Sequence, residues 1–174
     1  MITVSKKRHM AQVKSGRISE NKNPKGRMAE DCVFRAIAGA TECIWEEVYA
    51  GLCEIGLELH SMPNFPLVFR AYLNRIGAQS VYKRDVDWRR MYNDPAYKKQ
   101  WETEGISVSE FARAHRSGNY VVRIEWHVTC IRNGIIYDYV PCEQGIVMEA
   151  WKVIPGTICF KNEAEKKASW VFQE

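Results

Sequence analysis

Asn133-Gly134 separates two runs of β-branched and aromatic residues, His127–Arg132 and Ile135–Tyr139. Asn-Gly is the strongest short hairpin signal, because both residues tolerate the positive φ of a two-residue type I′ turn. Such a turn dictates register: Arg132 faces Ile135, Ile131 faces Ile136, Cys130 faces Tyr137 and Thr129 faces Asp138. Side chains alternate along a strand. His127, two residues before Thr129, is therefore expected on the face of Asp138 and diagonal to it, at a Cβ separation of about 7 Å. Cys130 falls on the opposite face. A run at Tyr120–Ile124, another at about Ile146–Val153 and a further one around Thr157–Phe160 extend this into an antiparallel sheet. The charged stretch Asn162–Ala168 is expected to cover an edge.

The first half of the chain has helical spacing instead. Asp31 precedes Cys32-Val33-Phe34-Arg35-Ala36-Ile37-Ala38-Gly39-Ala40. With Asp31 as N-cap, Cys32 sits in the first turn, where unpaired N–H groups and the helix dipole favour a thiolate. Ala38 and Gly39 are small enough to admit a close neighbour. Taken alone, Cys32 also reads as one more small buried apolar residue. Thr41 is the expected cap of a second helix carrying Ile44, Val48, Leu52, Ile55 and Leu59 on one stripe, with Glu46, Glu47, Glu54 and Glu58 turned away. A third helix is expected from Asn64 as cap and Pro66 in the first turn to Gly77. His60 precedes it in an exposed loop. A short strand at Ser80–Tyr82 is followed by an irregular or partly helical excursion over Trp88–Trp101 and a short helix at Ser109–His115.

With 174 residues, 46% of them hydrophobic, the chain can bury a core without a metal or disulfide. The six cysteines, at 32, 43, 53, 130, 142 and 159, include no Cys-x-x-Cys pair and no zinc-finger spacing with histidine. Reduced thiols, no metal and no cofactor are expected. No apolar run approaches a membrane span, and the polar start lacks the apolar segment of a signal peptide, so a cytoplasmic protein with no membrane contact is expected. Residues 1–30 carry eight Lys or Arg against Glu20 and Glu30, which leaves the remainder near neutral. We divide the chain into a basic arm, 1–20, and a single domain, 21–174. The arm's charge leaves contact with nucleic acid open, but it has no aromatic residue to stack on a base, and a solvated terminus is the simpler reading.

A cysteine at a helix start, a histidine on a strand and an acid on the neighbouring strand supply a nucleophile, a base and a group to orient that base. Cys32 would attack a carbonyl, His127 would hold the thiolate and protonate the leaving group, and Asp138 would fix the imidazole's tautomer. His127 and Asp138 each also read as ordinary strand residues.

Asp-Cys-Val-Phe-Arg-Ala-Ile-Ala at 31–38, Trp45-Glu46-Glu47-Val48-Tyr49, Gly118-Asn119-Tyr120-Val121-Val122-Arg123, His127-Val128 and Asn133-Gly134-Ile135-Ile136-Tyr137-Asp138 together resemble small papain-like cysteine peptidase domains common in bacteriophage genomes. The resemblance spans about residues 21–153. It is similar, more distantly, to bacteriocin-processing peptidases and ovarian-tumour-type deubiquitinases. It implies a papain-like α+β fold, with a helical N-terminal part whose central Cys-bearing helix packs on a C-terminal antiparallel sheet. It further implies hydrolysis of a peptide or isopeptide bond by Cys32, His127 and Asp138, a protein or peptide substrate, and the host cytoplasm as location. Many such enzymes place a Gln about six residues before the nucleophile, to donate to the oxyanion; Gly26 stands here. Asn23, with the Cys32 backbone N–H, is the substitute donor we consider. Two alternatives remain at this stage: an inactive papain-fold protein that binds and inhibits a host factor, and a thiol acyltransferase or amidase.

Overall fold

Asn133 and Gly134 both take positive φ, +49° and +77°, so the hairpin turn forms as its two residues dictate. Around it, the computed structural model describes residues 16–27 and 30–157. The described elements are β1 (Arg17–Ile18), α1 (Cys32–Thr41), α2 (Trp45–Glu58), α3 (Pro66–Arg75), β2 (Gln79–Lys83), α4 (Trp88–Asn93), α5 (Pro95–Glu104), α6 (Val108–Ala114), β3 (Asn119–Ile124), β4 (His127–Arg132), β5 (Ile135–Tyr137) and β6 (Glu149–Val153). The class is α+β. The expected strand at 157–160, the tail at 162–168, Cys159 and residues 1–15 of the arm lie wholly or largely outside the described residues.

The strands form one sheet in the order β1-β5-β4-β3-β6-β2. Arg132↔Ile135, Ile131↔Ile136 and Cys130↔Tyr137 pair as the turn requires. The fourth expected pair does not form within the ladder, because β5 stops at Tyr137. The Asp138 carboxylate accepts the Val140 N–H at 3.0 Å, a local turn that carries the backbone out of the sheet. The sheet is also mixed rather than antiparallel throughout. β1 runs parallel to β5, pairing Arg17 with Ile136 and Ile18 with Tyr137. Residues 17–18, assigned to the arm from sequence, are thus part of the sheet, and β2 joins it from the helical half.

Alternation along the strands gives two apolar faces. Val121, Val128, Cys130, Trp151 and Val153 pack against α1, α2 and α3. Tyr120, Val122, Ile124, Ile131 and Ile136 pack against α6. Met91, Trp101 and Met148 form a smaller cluster under α4 and α5. α1 lies close to β4: a Cβ at Gly39 would stand 3.2 Å from Cys130 Sγ, so only glycine lets the two approach this far.

Two helix starts differ from expectation. Thr41 ends α1 instead of capping α2, its Oγ1 donating to Ile37 O at 2.7 Å. Ile44 is the α2 cap, and Leu59 follows the last turn, so both lie outside the helix and are exposed, while Val48, Leu52 and Ile55 are buried. Phe65, not Asn64, caps α3. Pro66 drives the residue before it to extended backbone, ψ 148°, and leaves no other choice. The excursion at 88–101 resolves into α4 and α5, capped by the Asp87 and Asp94 side chains.

Candidate functional site

α1 begins at Cys32, as expected, but Asp31 does not cap it through its side chain. The Asp31 carboxylate is occupied elsewhere. It accepts Arg35 Nε at 2.6 Å on one oxygen and Asn23 Nδ2 at 2.8 Å on the other. Arg35 lies one turn along α1 and is 5% exposed, so it must be paired. Its Nη1 approaches Asp138 Oδ1 at 3.4 Å, and the Tyr139 ring lies 4.2 Å from its guanidinium carbon. The other Asp138 oxygen, Oδ2, stands 2.7 Å from His127 Nε2. A chain of polar contacts therefore runs from Asn23 through Asp31, Arg35 and Asp138 to His127.

With Nε2 facing a carboxylate, that nitrogen carries the proton, and Nδ1 is left for another partner. The Cys32 thiol interacts with this imidazole. Cys32 is carried by the helix on one face of the sheet. His127, by alternation with Thr129 and Ile131, belongs to the other face. They meet at the end of the sheet where β4 begins and β5 stops.

Electrostatics set this thiol apart from those of Cys53 and Cys130. Burial pushes the Cys32 thiol up, but hydrogen bonding and charge from His127, the Val128 backbone N–H and the charge of Arg35 outweigh it, and the thiol ends below its ordinary value. Burial raises the Cys53 thiol and drives the wholly buried Cys130 thiol far up. His127 moves the other way. Burial disfavours its cation, but Asp138, Cys142 and Cys32 as hydrogen-bond partners and the charge of Asp138 push it up to about 11. Asp138 is held below the usual carboxylate range: burial is overcome by His127, the Val140 N–H and the Thr129 hydroxyl. The pattern is that of a thiolate-imidazolium pair steadied by a carboxylate.

No family model, curated protein or solved structure matches this chain.

Cys32, His127 and Asp138 are brought together; Asn23 is brought to Asp31, where one of its two amide protons is committed. His115, in contrast, binds Phe111 O through Nδ1 and stacks on that ring, and His60 is exposed. Sequence reasoning missed Arg35 as the link between Asp31 and Asp138. The i,i+4 spacing of Asp31 and Arg35 signals the first contact, and nothing local signals the second. It also missed Cys142, whose Sγ lies 3.5 Å from Thr129 Oγ1. Single ligand atoms of His127, Asp138 and Cys142 all lie within 4.8 Å of one another, a donor set that could attract a soft cation. Ligand atoms around a tetrahedral zinc are about 3.3 Å apart, however, and the 2.7 Å between His127 and Asp138 is a hydrogen bond. Arg35 beside Asp138 adds a competing positive charge. The cluster fits proton chemistry better than a metal.

Proposed function

We propose that this chain is a papain-like thiol hydrolase that cleaves a peptide or isopeptide bond through Cys32, His127 and Asp138. The observation that carries the reading is the 2.7 Å contact of His127 Nε2 with Asp138, which leaves Nδ1 to a thiol whose pKa is lowered. The Cys32 thiolate attacks the substrate carbonyl carbon, and the C=O electron pair moves to oxygen. His127 gives its Nδ1 proton to the leaving amine as the C–N bond breaks, and a thioester to Cys32 remains. Water then gives a proton to neutral His127 and attacks the thioester; collapse releases the acid and restores the thiolate. Asp138 stays ionised throughout and holds the ring in one tautomer. The developing oxyanion lies at the start of α1, whose first N–H groups the Asp31 side chain leaves uncapped. Asn23 is the second donor in this reading, through its remaining amide proton.

The test is labelling by iodoacetamide against pH, with the modified cysteine mapped. Cys32 is expected to react fastest, at a pH well below the free-thiol value of about 8.5, and His127→Ala is expected to slow it. Labelling of Cys32 no faster than that of Cys43 or Cys53, and indifferent to His127, would overturn the reading in favour of a binding protein.

A further inference from the structure

Next to His127, the two-residue turn Glu125-Trp126 joins β3 to β4 and holds Trp126 at φ +59° with 82% of its surface exposed. A bulky residue in left-handed backbone, with its ring in water, is costly twice over and has no packing role that accounts for it. Trp126 lines a cavity of about 280 Å³ with Trp88, Tyr92 and Arg123, and Trp88 and Tyr92 are stacked 5.7 Å apart. Trp88 and Arg123 also line a second cavity of about 650 Å³, which extends to Arg70 and Lys83. The two are one groove.

This groove opens on the face of Cys32. Arg123 alternates with Val121 and Glu149 with Trp151, both on the α1 face, and Arg123 pairs across the ladder with Val128, whose N–H interacts with Cys32. Its charge is unbalanced. Glu149, buried, accepts Arg70 Nη2 at 2.7 Å and Arg123 Nη1 at 2.8 Å, so two guanidinium groups share one carboxylate. Lys83 pairs with Asp85 at 3.2 Å and Arg84 reaches Glu104, outside the lining, at 3.9 Å, so the lining itself carries Arg70, Lys83, Arg84 and Arg123 against Asp85 and Glu149. Aromatic rings at the end marked by Trp126, the residue before His127, and surplus positive charge beyond them suit an extended chain that carries carboxylates. A basic segment would meet repulsion, and an apolar one would leave the cations unused.

Resting on the thiol-hydrolase reading, we propose that the groove from Trp126 to Lys83 binds the substrate, and that the segment it takes is an acidic peptide flanking the bond to be cut. The test uses the full chain and a dye-labelled peptide rich in Glu and Asp, beside its Gln and Asn counterpart. In Cys32→Ala protein, fluorescence polarisation should show the acidic peptide binding about tenfold tighter, an advantage that falls as salt screens it and is lost in Lys83→Glu and Arg70→Gln. In wild type, the acidic peptide should slow iodoacetamide labelling of Cys32. Equal binding of the two peptides overturns the inference, as does acidic-peptide binding that leaves Cys32 unprotected. Either result leaves the hydrolase reading standing if Cys32 alone still labels fast and depends on His127. Circular dichroism of the exposed-site variant Lys83→Glu separates lost binding from lost folding.

Discussion

Cys32 has five influences on its sulfur and only burial opposes ionisation, which makes its labelling profile a direct readout of its neighbours. Removing the imidazole in His127→Ala should move the labelling midpoint upward, and Asp138→Asn should do so less, by loosening the ring it orients; mapped alkylation across pH 5–10 checks both. Arg35 is a different case. It is buried between Asp31 and Asp138, so Arg35→Ala leaves the Asp31 carboxylate without a cation and Asp138 with His127 alone, and should cost about 3–5 kcal/mol in urea unfolding. That role was not legible in the sequence. Asp31 reads as a helix cap because Asp before an apolar run usually is one, but a guanidinium one turn away, desolvated by the fold, offers its carboxylate a stronger partner than backbone N–H groups do. His127 and Asp138 were legible, since one turn and the two-residue period of strands suffice to place them.

At the scale of elements, the contact of α1 with β4 sets where the thiol can be. Gly39→Ala would place a methyl 3.2 Å from Cys130 Sγ, and the helix would have to lift. The expected cost is about 1–3 kcal/mol, and Cys130→Ala in the same chain should recover part of it; a double-mutant cycle by thermal unfolding measures the coupling. The small residues at 38 and 39 announced this approach, though not its partner. Helix boundaries were less legible. The cap at Ser107 follows the Ser-x-x-Glu rule with Glu110, and both halves of the capping box form. The break at Asp94-Pro95 likewise has a local cause. β1, in contrast, is two residues long and carries no periodicity, and its parallel pairing with β5 is a property of the tertiary fold.

Across the whole molecule, stability should report on the same groups. His127, raised to about 11 in the native state, contributes stability fully below its ordinary value near 6.5, and this is lost as pH rises toward 11. Asp138 has the opposite sign: its contribution is present above the usual carboxylate value and lost as pH falls through its lowered native one. Cys32 behaves as Asp138 does around the thiol range, which offsets part of the alkaline loss. Urea unfolding in a Cys32→Ala background should therefore show stability falling above about pH 6.5, and adding His127→Gln should flatten that slope. Cys32 stands on the helical layer and His127 and Asp138 at the hairpin; Arg35 and Asp138 are 103 positions apart. A nascent chain that has made α1 but not β4 and β5 holds an ordinary thiol. The environment that lowers the Cys32 thiol is assembled only when β4 and β5 dock beside α1, so on the proposed reading the growing polypeptide carries no activated thiol until its hairpin has been made.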